Sequence, residues 1–236
     1  MAVRPAAAWV ALLCLCGCAV RGGGGGMGTA VEFRAPSTPD AELRPLLEGV
    51  ETIGVLSATD IEPLQDLDIE KVMGRLTDAT AGGLRNLPGR TVIGQDEIRW
   101  HFREVSLDSA AVFSDSLRSA MVTELDLDAL VFVTLRDLDA RLAPTTPTPY
   151  GIVPSPRVNL TVDLQLQLLN LESGRSWSHE GRHSSWQPVQ LDLLGGGRNR
   201  TERQMLAALA PPLRGFLARV APPPSRQTRH FDVSGD

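Results

Sequence analysis

"VNLTVDLQLQLLNLESGRSWSHEGRHSSW", residues 158–186, is the stretch that decides the fold. Val158, Leu160, Val162, Leu164, Leu166 and Leu168 alternate with Asn159, Thr161, Asp163, Gln165 and Gln167. Successive side chains of a strand point to opposite faces, so this period of two predicts a strand with one apolar and one wet face. Such a strand belongs in an antiparallel sheet whose other face is covered by helices. "LESGR" then reads as a turn, with Gly174 available for positive φ. "SWSHEGRHSSW" follows at hairpin distance and reads as the returning strand.

That placement decides the meaning of a chemical motif. His179, Glu180 and His183 have the order H-E-x-x-H, which on a helix sets two imidazoles on one face to hold zinc, with the glutamate as general base. Here Gly181 sits in the middle, Ser176, Ser178, Ser184 and Ser185 surround it, and no apolar stripe would dock a helix. On a strand rising ~3.3 Å per residue the two histidines stand about 13 Å apart. They cannot both bind one ion at ~2.0–2.1 Å. Glu202, the third ligand such a site would need, falls in the first turn of a helix, where it suits the dipole and a capping box. A zinc metallohydrolase built on His179, His183 and Glu202 is therefore the alternative reading. The leading expectation is no catalysis, no metal and no cofactor.

Working outward, "TIGVLSA" from Thr52 reads as a short buried strand and "TVIGQ" from Thr91 as a further strand. Between them Ile69, Val72, Met73, Leu76, Ala79, Gly83 and Leu87 recur at helical spacing, with Asp68 as cap and Pro88-Gly89 as stop. Residues 107–125 are again helical in period. "ALVFVTLRDL" from Ala129 fits a central strand covered on at least one side. Residues 143–157 read as a proline-rich loop around Tyr150, of a length that is more often functional or disordered than neutral. A last helix begins at Thr201, and Pro211-Pro212 should kink or restart it near Ala210. The order predicts an α/β, two-layer sandwich: a mixed, mostly antiparallel sheet with helices on one face.

Other candidate chemistry is weaker. Asp96, Glu97 and His101 could pair for acid–base work, but nothing nearby supplies a nucleophile. Asp126, Asp128, Asp137 and Asp139 lack the dense spacing of a calcium loop. "LLGGGRNR" lacks the G-K-[ST] ending of a phosphate loop.

The chain has 236 residues, enough for one good-sized domain with tails. With 28 acidic against 23 basic residues and a formal charge of -5, it has no basic field for nucleic acid. All three cysteines, Cys14, Cys16 and Cys18, fall in "CLCGC", so no disulfide staples the body. Arg4, an apolar run from Ala6 to Leu15 and the small Gly17 form an export signal too short to span a bilayer, which takes ~20 residues. After it come Gly22–Gly26 and then Pro36, Pro39 and Pro45, which read as a flexible tether. The expected organisation is a signal peptide over 1–17, a tether over 18–48, an α/β domain over 49–221 and a disordered tail over 222–236.

Leu15-Cys16-Gly17-Cys18 resembles the lipobox of bacterial lipoproteins. That resemblance implies lipidation of Cys18 and, with Ala19 rather than Asp following it, attachment to the outer membrane on its periplasmic face. The body resembles a family of periplasmic lipoprotein domains: the TolB amino-terminal domain, the penicillin-binding-protein activators and the curli-secretion lipoprotein. The residues that carry this are "TIGVLSA", "TVIGQDEI", "LDLDALVFVTL" and "VNLTVDLQLQLLNLESGRSWS", spread over 52–220. No pair of alternating membrane strands with apolar outer faces is available, so a pore is not implied. The resemblance implies an adaptor or regulator that binds another cell-envelope protein and carries over no catalytic residue. Candidate contact residues are Tyr150 and the wet row Asn159, Thr161, Asp163, Gln165 and Gln167. A structural or assembly component of an envelope secretion complex, with self-association into a homo-oligomer, is the further alternative.

Overall fold

A computed structural model of the chain describes residues 28–61, 68–142, 157–188 and 197–232. Cys18 and Tyr150 lie outside the described residues, as does the expected signal peptide over 1–17. The described residues fall into two compact units, Pro36–Pro224 and a smaller one that includes Gly28–Ala35 and Ser225–Asp232.

The larger unit opens with a 3-10 turn at Ala41–Leu43 and a short helix α1 at Arg44–Leu47. Then follow β2 (Thr52–Thr59), α2 (Ile69–Leu84), β3 (Thr91–Ile93), α3 (Gln95–His101), α4 (Ser109–Val112) and α5 (Asp115–Leu125). β4 (Ala129–Leu142), β5 (Arg157–Asn170), β6 (Ser176–Pro188) and α6 (Gly197–Val220) complete it. The smaller unit is a ribbon in which β1 (Gly28–Ala35) pairs antiparallel with β7 (Ser225–Asp232), and Arg229 lies over the Phe33 ring.

The five-stranded sheet has the order β3-β2-β4-β5-β6. β2 is parallel to both neighbours, while the long β4–β5 and β5–β6 ladders are antiparallel. The expected α/β class with a mixed sheet is what the chain forms. The alternation in β5 works as the pattern predicts. Val162, Leu164, Leu166 and Leu168 are fully buried against α2 and α6, together with Ile53 and Val55 of β2 and Val131 and Val133 of β4.

One detail extends the expected layering. Leu56, Leu130 and Phe132 point to the opposite face, where they bury Ile98 of α3, Val112 of α4 and Leu117 and Met121 of α5. The sheet therefore carries a second, smaller helical layer over β2 and the start of β4. Beyond it, the same face of β5 and β6 stays polar. The helix expected over 107–125 is divided, because Asp108 accepts from Ala111 N and Ser114 from Leu117 N, capping two separate starts.

The ends differ from expectation. Residues expected as tether supply β1 and α1, and Leu43, Leu46 and Leu47 are buried in the main core. Residues 225–232, expected as disordered tail, form β7, with a partner strand to satisfy their backbone. α6 starts four residues before Thr201 and continues through Pro211 and Pro212 to Val220.

Candidate functional site

β5 places Asn159, Thr161, Asp163, Gln165 and Gln167 in one row on the polar face, each half-buried. The register with β6 sets Trp186 opposite Asn159, Ser184 opposite Thr161, Arg182 opposite Asp163 and Glu180 opposite Gln165. On the other side, past a bulge between Leu135 and Asp137, β4 sets Asp137 opposite Asp163 and Asp139 opposite Thr161. A ladder of hydroxyls and amide fixes part of the row: Thr161 donates to Ser184 Oγ at 3.1 Å, and Ser184 donates to Asn159 Oδ1 at 2.8 Å. Arg136 meets Glu180 at 3.3 Å and Arg141 meets Asp139 at 2.7 Å. Asp137 and Asp163 are like charges side by side, with Arg182 set opposite Asp163 on its other flank to offset them. At one end of the row Trp186 is 55 % exposed.

The H-E-x-x-H segment is the middle of β6, paired residue by residue with β5. This corrects the zinc alternative on its geometric premise, because the strand spreads the two histidines along its length. His179 instead stacks beside Trp177, at 6.0 Å between ring centroids, and lies 6.4 Å from Phe216. Burial, and then the neighbouring Arg219 charge, hold its pKa below the usual 6.5. Arg219 sits 5.0 Å over the Trp177 ring and bonds Asp40 at 2.8 Å and also Glu42. Glu202 is 4 % exposed, and its Oε1 accepts from Lys71 Nζ at 2.8 Å, so its charge is committed to an ion pair. Among the described residues no group of three or more His, Cys, Asp or Glu is arranged to hold a metal ion.

The remaining carboxylates have local uses. Asp128 Oδ2 accepts from Glu51 N at 2.7 Å and Thr52 N at 2.8 Å, fixing the start of β2. Asp126 ends α5 in the left-handed region at φ 52°. Asp96, Glu97 and His101 are all exposed on α3, where the His101 ring bonds back to Glu97 O. Sequence reasoning missed an open pocket at the end of β2, lined by Ser57, Arg99, Phe102 and Arg103 among others. No motif joins those positions, and only the crossover from β3 to β4 brings them together.

No protein-family model matches the chain, and no curated protein matches it. Among solved structures it is similar to lipoprotein GNA1162 of Neisseria meningitidis, at 12 % identity and a TM-score of 0.40 over 70 % of this chain and 99 % of that one. It is similar to the hypothetical protein CT253 of Chlamydia trachomatis, at 9 % identity and a TM-score of 0.41 over 72 % of this chain and 95 % of that one. It is also similar to the C-terminal domain of LpoB from Salmonella enterica, at 15 % identity and a TM-score of 0.35 over 63 % and 93 %.

Proposed function

We propose that the protein is a lipid-anchored periplasmic adaptor that binds another cell-envelope protein through the polar face of β4, β5 and β6. The observation that carries this is the exposed Trp186 at the end of a row whose polar neighbours are already bonded to one another. A preset row loses little side-chain freedom on binding, and an exposed tryptophan beside it supplies the aromatic anchor that interface energetics favour. Attachment through Cys18, outside the described residues, would hold this face near the outer membrane.

Photocrosslinking from positions 165 and 182, which share the polar face with Trp186, tests the proposal in intact cells. A discrete envelope protein trapped at both positions, and lost in Trp186→Ala, is the expected result. Background alone at both positions overturns it. Labelling with an alkyne fatty acid tests the anchor separately: label on the wild type and none on Cys18→Ala is expected.

A further inference from the structure

We propose that the open pocket at the carboxyl end of β2 is a binding site for a small amphipathic carboxylate, held by Arg99 and Arg103. β2 and β3 are adjacent and parallel, yet the chain leaves β2 for α2 on one face and β3 for α3 on the other. In open α/β sheets the crevice beyond the strand ends, where connections diverge in this way, is where ligands bind. The pocket there has a volume of about 540 Å³, within the ~300–1,000 Å³ of small-molecule sites.

Its lining selects the ligand. Ala58, Phe102 and Leu107 are apolar, and Val105 adds a side chain left 47 % exposed. An apolar body fits against them. Arg99 is steadied by one bond from Nη2 to Ser57 O at 3.2 Å, which leaves the rest of its donor fork for a guest. Arg103 has no acidic partner among the described residues.

The acid on the rim offsets only one of the two arginines. Asp108 Oδ1 accepts from Ala111 N at 2.8 Å and Oδ2 from Ser106 Oγ at 3.0 Å, so both oxygens are already occupied. The same bonds keep it ionised, with its pKa below 3.8. Two arginines and one aspartate leave a single surplus positive charge, which a carboxylate balances and a phosphate dianion would overshoot. A free short-chain acid and the C-terminus of a peptide ending in an apolar residue share this chemistry.

The test titrates the full chain with octanoate, octanamide, inorganic phosphate, and a Gly-Gly-Leu peptide with free or amidated C-terminus. Amide resonances of 57–59 and 99–107 are followed by NMR. Octanoate or the free-acid peptide should shift them saturably, the matching amide should bind at least about tenfold more weakly, and Arg103→Gln should cost about tenfold. Tighter octanoate identifies a free acid, and tighter peptide a chain terminus. Arg103 is exposed, so its variant keeps the fold; Val105→Asp should weaken the apolar contact in the same way. Absence of saturation with both carboxylates, equal binding of the amides, stronger binding of phosphate, or undiminished binding by Arg103→Gln would each overturn the assignment.

Discussion

Gly181 lies directly against Pro212: a Cβ built on the glycine would come within 2.6 Å of the proline Cβ and 3.0 Å of its Cα. The glycine that breaks the zinc motif as a helix is thus where α6 seats on β6. The second of two prolines inside that helix is what fills the space.

Gly181→Ala should therefore destabilise the fold by about 1–3 kcal/mol, because a methyl must displace backbone as well as side chain. Gly82→Ala is the matched control. It lies in α2 with nothing within 4 Å of a built Cβ, and should stabilise by about 0.5–1 kcal/mol through helix propensity. Urea unfolding of the two variants should move the midpoint in opposite directions. A neutral Gly181→Ala would show that α6 can shift freely over β6.

Asp128→Ala should cost about 1–3 kcal/mol, since Glu51 N and Thr52 N lose the carboxylate that accepts from both. Hydrogen exchange localises the effect: protection at 51–53 should fall more than protection in β5. Equal loss throughout the sheet would mean that the carboxylate supports global stability without fixing the start of β2.

What the sequence made legible follows from what each element buries. β5 was readable because apolar and polar residues alternate strictly from Val158 to Leu168, and β6 because Gly174 and the hairpin distance tie it to β5. The second helical layer was obscured because Leu130 and Phe132 sit in a continuous apolar run, which does not reveal how many faces are covered. β7 carries little apolar alternation: "SRQTRHFD" is exposed from Ser225 through Arg229, and it is defined by its backbone pairing with β1 together with the Arg229 contact to the Phe33 ring. The polar row was readable as a row, but its link to Trp186 needed the register.

Lys71 is the chain's sole lysine, and it neutralises Glu202, whose side chain is 5 % exposed while that of Lys71 is 43 % exposed. Lys71→Met should leave a buried carboxylate without its cation. The expected loss is about 1–2 kcal/mol, below the ~3–5 kcal/mol of a fully buried pair because water reaches the lysine. Lys71→Met/Glu202→Gln should recover part of that loss in a double-mutant cycle. Strict additivity would mean the pair contributes no coupling.

The His179 imidazole provides a pH test with a definite sign. Burial first, and the Arg219 charge second, lower its pKa from 6.5 in the folded state, so the unfolded chain binds a proton more readily there. Its contribution to stability is then fully present above the unfolded pKa and is lost as pH falls through the folded one. Wild type should weaken relative to His179→Gln between about pH 7 and pH 5, while the difference between them stays flat toward about pH 8. NMR titration should find His179 protonating at lower pH than a free imidazole. If His179 titrates at or above the ordinary value, the packing of Trp177, Phe216 and Arg219 around it does not hold in solution.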